Sequence, residues 1–577
     1  MRRILGFLSR YKRESLMGPL FKMLEALFEL FIPLVVADII DTGIKNGDSG
    51  YILRRCGLMV LLGAVGLACS ITAQYFSAKA AVGLSTDLRF ALFKHIGGLS
   101  HANTDRFGTA TLLSRTTADV NQIGTATNLV LRLFLRSPFI VFGAMIMAFT
   151  VSPSAALTFV VTIPLLSVVI FGIMLISIPL FRRVQERLDR VLLHTREGLV
   201  GARVMRAFVR EEQSFAEFSR ANGELTRLQR FVGRFSALLN PLTYVIINIS
   251  ILVIIWRGGM EVARGALSQG EVVALYNYMS QILIELIKMA NFIILITKAC
   301  ASGARINAIL DTPTGLPSVE HTATASGEEL AVEFKNVSLS YHACADLALS
   351  DISFYAKKGE TVGIIGGTGS GKSSLVSLIP RFYDVTKGAV LVDGIDVRAY
   401  ADPHVLRKKI GIVPQKAELF AGTVRDNLLF GNENATDEDC RAALEAAQAW
   451  QFVKEKDGGL DFVLEQHARN LSGGQKQRLT IARALCRRPE ILILDDSASA
   501  LDYATDAALR GAISALPYHP TTFIVSQRTA SIRHADRIIV MEDGKAIAVG
   551  AHEELLSTCE IYREIHESQF GSEEVGA

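Results

Sequence analysis

Residues 366–373 read Gly366-Gly367-Thr368-Gly369-Ser370-Gly371-Lys372-Ser373, and this stretch decides the fold of the 577-residue chain. The apolar run 361–365 precedes it, and a helix-like segment that includes Ser374 follows it. Glycines at these positions let backbone N–H groups turn towards a polyphosphate, while Lys372 reaches the β and γ oxygens and the Ser373 hydroxyl can ligate Mg²⁺. Because strand and helix flank the loop in the required order, we interpret it as a P-loop and not as a ligand-free glycine turn.

Two later stretches extend the predicted phosphate site. Residues 490–495 form an apolar run that ends in Asp495, which is the pattern of a buried strand that places a carboxylate in the shell of a Mg²⁺ ion. Between this run and the P-loop, a segment that opens a helix offers a hydroxyl and glycine N–H groups suited to a γ-phosphate. The residues of that segment are Leu471, Ser472, Gly473, Gly474 and Gln475.

The composition indicates that part of the chain lies in lipid. Hydrophobic residues make up 50% of the sequence and the mean hydropathy is +0.31, which is too apolar for an ordinary soluble protein. We therefore expect a lipid membrane among the partners, and the small net charge of +3 gives no reason to expect a nucleic acid. The seven cysteines show no metal-ligand spacing, and we expect reduced thiols.

Hydropathy predicts six membrane spans before residue 310, each long enough to cross a hydrocarbon core of about 30 Å. The long connections 81–126 and 182–239 are rich in Lys and Arg, which together with the basic N-terminus predicts that both loops and both termini are cytoplasmic. The charged N-terminal segment is interpreted as a retained span and not as a signal peptide. The predicted spans are 18–44, 52–80, 127–150, 154–181, 240–257 and 271–298.

The long loops and the spans each leave two interpretations open. Turn-like breaks at 101–108 and 197–204 suit docking against another domain, with solvated hairpin tips as the alternative. Charged residues inside the spans suit either a polar translocation cavity or structural ion pairs between helices and near the interface. These charged residues are Lys22, Glu25, Glu29, Arg132, Arg136, Glu285 and Lys288.

The predicted organisation is a membrane domain at 1–310, a linker at 311–328 and an α/β domain at 329–577. The linker contains Thr, Pro, Ser and Gly, which break the helical pattern. Strand-like runs at 330–334 and 351–355 then open the α/β region. Because the chain shows no internal repeat, a symmetric cavity would need a second polypeptide.

With the P-loop, the Asp495 strand and the 471–475 segment together, the chain resembles one half of an ATP-binding cassette (ABC) exporter. The resemblance implies a multi-domain fold, in which an all-α six-span transmembrane domain is followed by an α/β P-loop nucleotide-binding domain that binds ATP and Mg²⁺. It also implies that Tyr341 stacks on adenine, that Gln415 senses Mg²⁺, and that Ser499 and Asp502 belong to the D-loop. In this family two such domains pair head to tail, so that the signature motif of one, here 471–475, completes the ATP site of the other.

Two positions depart from the family's pattern. Asp496 stands where the family has its catalytic glutamate, and its carboxylate is one methylene shorter; a misplacement of about 1 Å can cost about a hundredfold in rate. Gln527 replaces the switch histidine and cannot become cationic. The loop 463–470 before the intact signature is also unusual. The chain is thus similar to the degenerate-site subunit of heterodimeric bacterial multidrug exporters, with slow hydrolysis expected on its own P-loop side.

The resemblance implies ATP-driven efflux of small amphipathic molecules, either drugs or lipids, across the plasma (inner) membrane. The implied partner is a second ABC half-transporter, in a heterodimer or alternatively in a homodimer. Two other functions remain open from the sequence: a siderophore importer with the exporter fold, and a membrane protein regulated or gated by nucleotide occupancy.

Overall fold

The fold is described from a computed structural model, over residues 2–316, 329–341, 346–400, 402–497 and 500–570. The chain forms two compact units: the first comprises Met1–Gly98 and Phe107–Pro313, and the second comprises Leu99–Arg106 and Thr314–Ala577. Most of the predicted linker lies outside the described residues, and the division at 1–310, 311–328 and 329–577 stays a prediction. The predicted fold class, a helical transmembrane domain followed by an α/β nucleotide-binding domain, is confirmed.

Long helices build the first unit. Ser152 and Ser268 begin two of them as N-caps, because their hydroxyls accept hydrogen bonds from the backbone N–H groups of Ala155 and Glu271. Short π-helical turns lie at Ile39–Ile44 and Arg115–Asp119. The helices up to the end of this unit are α1 (Arg2–Gly6), α2 (Lys12–Asp38), α3 (Ser49–Gly97), α4 (His101–Phe107), α5 (Thr109–Ser114), α6 (Val120–Leu133), α7 (Arg136–Val151), α8 (Pro153–Val200), α9 (Ala202–Ala207), α10 (Glu211–Ala237), α11 (Leu239–Ala263) and α12 (Gln269–Leu310).

Among the described residues, four helical stretches are long and apolar enough to cross a membrane. They contain the predicted spans 52–80, 127–150, 154–181 and 240–257. The other two predicted spans, 18–44 and 271–298, fall largely on α2 and α12, which carry the charged residues singled out above except Arg132 and Arg136. The four stretches are Ser49–Gly97, Thr109–Val151, Pro153–Val200 and Glu211–Ala263.

The charged residues of α2, α7 and α12 pair with one another. The Arg136 guanidinium donates to Glu285 and to Glu29, each at 2.6 Å. Glu285 also accepts from the Ser137 hydroxyl at 2.7 Å and from the Lys288 ammonium at 2.9 Å. The Arg136 and Glu285 side chains are only 8% and 4% exposed. The interpretation as ion pairs between helices is therefore confirmed for these residues, and contact with a transported molecule stays a prediction.

The second unit is an α/β structure with three sheets. Its described strands are β1 (Leu330–Leu339), β2 (Leu349–Lys357), β3 (Thr361–Gly366), β4 (Lys387–Val392), β5 (Ile395–Asp396), β6 (Ile410–Val413), β7 (Gly422–Thr423), β8 (Val463–Leu464), β9 (Ile491–Asp495), β10 (Thr521–Val525), β11 (Arg537–Glu542) and β12 (Lys545–Gly550). Its helices after α4 are α13 (Lys372–Ser377), α14 (Pro403–Lys408), α15 (Val424–Leu429), α16 (Asp437–Ala446), α17 (Trp450–Lys454), α18 (Gly473–Cys486), α19 (Tyr503–Ser514), α20 (His552–Thr558) and α21 (Glu560–Phe570).

The largest sheet positions the site. Its strand order is β12-β11-β3-β10-β9-β6, with β11, β3, β10, β9 and β6 mutually parallel and β12 antiparallel at one edge. Strands β3 and β9 are apolar and buried on both faces, as expected in the middle of a parallel sheet. The P-loop follows β3, and Asp495 is the last residue of β9. Gln527 lies two residues after the end of β10, and Gln415 lies two residues after the end of β6. Ligands of parallel α/β sheets bind at this carboxyl edge.

The remaining strands form a four-stranded sheet, β2-β1-β4-β5, and a two-stranded sheet, β7-β8, both antiparallel. One apolar core lies between the first two sheets and α13, and includes Phe334, Ile364, Leu375 and Phe523. A second core surrounds α18, the helix that the signature motif opens. The six described cysteines are free thiols, as predicted, and Cys344 lies outside the described residues.

Candidate functional site

The P-loop connects β3 to α13 by a turn that only glycine tolerates at one point. Gly371 has a φ of +95°, in the left-handed region, and a Cβ there would lie 2.9 Å from the carbonyl oxygen of Ala348. The Lys372 ammonium donates to the carbonyl oxygens of Gly366 (2.8 Å) and Gly367 (2.6 Å) and to the Ser370 hydroxyl (3.2 Å). The loop thus holds its own lysine in the middle of the cradle.

Asp495 lies directly beside the P-loop serine. The Ser373 hydroxyl donates to the Asp495 carboxylate at 2.9 Å. Burial raises the pKa of Asp495, and burial likewise lowers the pKa of Lys372, against the opposing effect of the two nearby carboxylates Asp496 and Asp495. A hydroxyl and one carboxylate, with Gln415 nearby, fit a Mg²⁺ ion that keeps most of its shell from phosphate and water. The described residues include no cluster of three or more His, Cys, Asp or Glu side chains that could hold a metal ion.

Asp496 continues from β9 in an unusual backbone conformation. Its φ is +47°, which Asp and Asn tolerate better than other residues with a side chain. Its N–H donates to the carbonyl oxygen of Val525 at 3.0 Å, and its carboxylate accepts from the Gln415 amide at 3.3 Å. Gln527 is exposed and lines the same cavity. Gln415, Asp496 and Gln527 therefore line the same cavity as the P-loop residues.

A single cavity of about 370 Å³ brings most of the predicted residues together. Tyr341 stands at it with its hydroxyl 2.7 Å from the Ser374 hydroxyl oxygen, and its ring meets the Tyr383 ring edge-on at 5.0 Å. Gly366, Gly367 and Ser370 do not line the cavity but hold Lys372. The predicted residues that line it are Tyr341, Thr368, Gly369, Gly371, Lys372, Ser373, Ser374, Gln415, Asp495, Asp496 and Gln527, and they are joined by Ala348, Val525 and Ser526.

The sequence reasoning missed Tyr383. Its hydroxyl donates to the Asp105 carboxylate at 2.6 Å, and the His101 ring packs 4.3 Å from the Phe382 ring. Both His101 and Asp105 belong to α4, in the segment Leu99–Arg106 that forms part of the second unit. Most of the predicted break at 101–108 thus packs within the second unit, and its role as a docking element stays a prediction. In the sequence, the aromatic pair Phe382-Tyr383 after α13 was the feature that could have indicated the residues that contact α4.

The signature motif and Asp502 do not line this cavity. Ser472 is the N-cap of α18, and Gln475 closes a capping box with it. Gly473 is exposed, and Leu471 is buried beneath the helix start. Asp502 caps α19, accepting hydrogen bonds from the backbone N–H and the hydroxyl of Thr505. Ser499, the other predicted D-loop residue, lies outside the described residues.

Comparisons with known proteins place both units. A family model of the ABC transporter transmembrane region matches residues 15–286, and an ABC transporter model matches residues 349–499. An uncharacterized ABC transporter ATP-binding protein of Mycobacterium tuberculosis is 38% identical over 98% of this chain and 97% of its own length. A putative multidrug export ATP-binding/permease protein of Bacillus subtilis is 32% identical over 96% and 97%.

A solved structure supports the same fold. It is described as a bacterial Atm1-family ABC exporter with ATP bound, and it superposes with a TM-score of 0.80 over 97% of this chain and 99% of its own, at 23% identity. The protein is accordingly a multi-pass membrane protein that binds ATP, is an ATPase coupled to transport, and dimerises as half-transporters do. The chain belongs to the ABC transporter family, as a half-transporter of the exporter type.

Proposed function

We propose that this chain is one subunit of a heterodimeric exporter that moves small amphipathic molecules, drugs or lipids, out across the plasma membrane. The nucleotide-binding unit and both termini would then be cytoplasmic. A relative named as a putative multidrug exporter supports the class of transported molecule. A homodimer is the alternative assembly.

The observation that carries the heterodimer is a contrast within one cavity. Its phosphate edge, defined as Lys372, Ser373 and Asp495, has the residue types of a working ATP site. Its hydrolysis edge, defined as Gln415, Asp496 and Gln527, has a shortened carboxylate and an uncharged amide where the family has glutamate and histidine. A site of this kind suits retention of ATP better than its turnover.

The residues divide the work as follows in this proposal. Tyr341 stacks on adenine, the loop 366–373 and Ser374 hold the phosphates, and Ser373, Gln415 and Asp495 hold Mg²⁺, which would neutralise charge on the phosphate oxygens. Asp496 orients the attacking water from a drawn-back position. The signature 471–475 and the D-loop residues Ser499 and Asp502 serve the ATP bound to the partner's P-loop, where fast hydrolysis takes place.

The ATPase activity of the full-length chain tests the proposal, measured alone and co-purified with a candidate second half-transporter. We expect high activity only in the pair, with Lys372→Ala reducing it less than the equivalent lysine change in the partner. If the chain alone is fully active and Lys372→Ala abolishes that activity, Asp496 is an adequate base and the protein is a homodimer.

The direction of transport needs a separate measurement, made with the same purified protein in proteoliposomes. ATP added outside reaches only transporters whose nucleotide-binding units face outward. Accumulation of a fluorescent amphipathic cation inside such vesicles supports efflux. ATP-dependent depletion of preloaded compound from them would instead support import.

A further inference from the structure

The loop that carries Gln527 is held by the last described helix of the chain. We define the switch loop as residues 526–531. Near the end of α21, the Gln569 side-chain amide donates to the carbonyl oxygen of Gln527 at 2.7 Å. The side-chain oxygen of Gln569 accepts from the Thr529 N–H at 2.9 Å and from its hydroxyl at 3.1 Å. One side chain thus satisfies three polar groups of the switch loop.

Neighbouring contacts show that the switch loop is held from two sides. On the α21 side, a ring nitrogen of His566 lies 3.2 Å from the Thr529 hydroxyl oxygen, and Thr529 is fully buried. On the α19 side, the Arg528 guanidinium lies over the Tyr503 ring at 5.1 Å and donates weakly to the carbonyl oxygen of Leu501 at 3.4 Å. The loop therefore joins the C-terminal helix to the start of α19, where the predicted D-loop ends.

The chemistry of Gln569 is specific. A primary amide donates from nitrogen and accepts at oxygen at the same time, so it can bridge a carbonyl and an N–H that point in opposite senses. Glutamate has nearly the same shape, but its ionised carboxylate only accepts. In the Gln569→Glu variant the two bonds to Thr529 are kept, while the Gln527 carbonyl faces a carboxylate oxygen instead of a donor.

We propose that Gln569 is a positioning residue for the nucleotide site, and that through the Gln527 backbone α21 sets where the Gln527 amide meets the γ-phosphate. This inference rests on the proposed function, which places Gln527 on the hydrolysis edge of the nucleotide cavity, where the family has its switch histidine. An uncharged switch side chain attracts the γ-phosphate more weakly than a cationic histidine would, so its geometry matters more. ADP lacks the γ-phosphate, and its binding is therefore independent of the contact between Gln569 and Gln527.

The test is photolabelling of the full-length transporter with 8-azido-ATP in Mg²⁺. Labelling is read on this subunit alone and competed with unlabelled ATP or ADP. We expect Gln569→Glu to lower the preference for ATP over ADP by about fivefold, the effect of losing one hydrogen bond, with ADP affinity unchanged. Glu567→Gln, on the exposed face of the same helix, is the matched control and should leave the ratio unchanged.

The two competitors separate the outcomes. An equal loss of ATP and ADP affinity in Gln569→Glu would mean a merely structural role, and an unchanged ratio would overturn the proposal directly. Gln527→Ala should lower the ratio by itself and leave Gln569→Glu with no further effect, because the two residues act through one contact. Failure of the proposed function looks different: full ATPase activity of the chain alone that Lys372→Ala abolishes would overturn the heterodimer, whereas an absence of labelling that depends on Lys372 would overturn both.

Discussion

The phosphate edge and the hydrolysis edge lie in one cavity, yet they are built differently. On the phosphate edge, Lys372 makes three hydrogen bonds of 3.2 Å or shorter inside its own loop, and Ser373 meets Asp495 at 2.9 Å. On the hydrolysis edge, Gln415 reaches Asp496 at 3.3 Å from another strand. The first edge is a property of one short motif and one strand end. The hydrolysis edge depends on the relative positions of three segments, which follow β6, β9 and β10. Substitutions there are therefore expected to change turnover more than binding.

The largest effect should come from the phosphate edge. Lys372→Ala removes the ammonium that would hold the β and γ oxygens, and contacts of a charged group are worth about 1.5–3 kcal/mol each. We expect nucleotide labelling of this subunit to need at least about a hundredfold more ATP, since two such contacts are lost. Competition of 8-azido-ATP labelling by unlabelled ATP measures this.

Lys358→Ala is the matched control for that change, because Lys358 is an exposed lysine of the same unit, with Asp393 3.7 Å away. It should leave labelling unchanged. If Lys372→Ala labels as well as the unmodified protein, the phosphate edge is not the site of binding and the contrast between the two edges collapses.

The next largest effect should come from lengthening the carboxylate on the hydrolysis edge. In the Asp496→Glu variant we expect hydrolysis on this chain's P-loop side to rise by up to about a hundredfold, because a gap near 1 Å to the attacking water is closed. ATP affinity should change little. Single-turnover hydrolysis, in a transporter whose other site carries a P-loop lysine change, measures the rate.

Asp496→Asn serves as the control for that variant, since it keeps the size and removes the base. The left-handed backbone at Asp496 also predicts a small loss of thermal stability for glutamate, which tolerates φ = +47° less well. An Asp496→Glu rate equal to that of the unmodified protein would show that Gln527, and not the carboxylate, limits hydrolysis.

The same contrast explains what the sequence could predict. Residues 366–373, the strand that ends at Asp495 and the capped helix that opens at Gly473 are local patterns, and each lies where the sequence placed it. The contacts that position the site are not local. Tyr383 and Asp105 are 278 positions apart, and Gln527 and Gln569 are 42 apart. Tertiary packing determines which of these residues meet, and hydrophobic periodicity and motif spacing contain no information about it.

The membrane helices show the same division. Hydropathy predicted six spans, four of which lie in described helical stretches long and apolar enough to cross a membrane, and the ionisable residues within the predicted spans were expected to need partners. It could not decide that Arg136 would sit between Glu29 and Glu285, which are 107 and 149 positions away. Helix rotation decides such a pairing, and a single sequence carries little information about rotation when the apolar residues surround the helix.

A smaller effect is expected at Tyr341, which marks the proposed adenine end of the same cavity. Tyr341→Ala removes a stacking surface for the base, and such stacking is worth about 1–3 kcal/mol; at the lower end of that range, expected for an exposed ring, the loss of affinity is about five- to tenfold. The loss should be the same for ATP and ADP, unlike that of Gln569→Glu. Tyr341→Phe keeps the ring, loses only the contact with the Ser374 hydroxyl, and should retain most of the affinity; equal losses in both variants would contradict stacking.

The smallest effect concerns pH, and it tests whether helix α4 supports the adenine end of the cavity. The Tyr341 ring contacts the Tyr383 ring edge-on, and the Tyr383 hydroxyl donates to Asp105 of α4. In the same helix, the His101 ring packs against the Phe382 ring. Burial, and then Arg407, lower the pKa of His101, against the opposing effect of Asp105. Because the folded protein binds this proton less readily than the unfolded chain, the packing is complete above the ordinary pKa of about 6.5 and is lost as the pH falls through the lowered value.

Between pH 7.5 and 5.5 we expect labelling affinity to fall by about threefold more in the unmodified protein than in His101→Phe, which keeps an aromatic ring and does not titrate. The loss should be equal for ATP and ADP, because α4 supports the adenine end; a loss confined to ATP would place the titrating group on the hydrolysis edge instead.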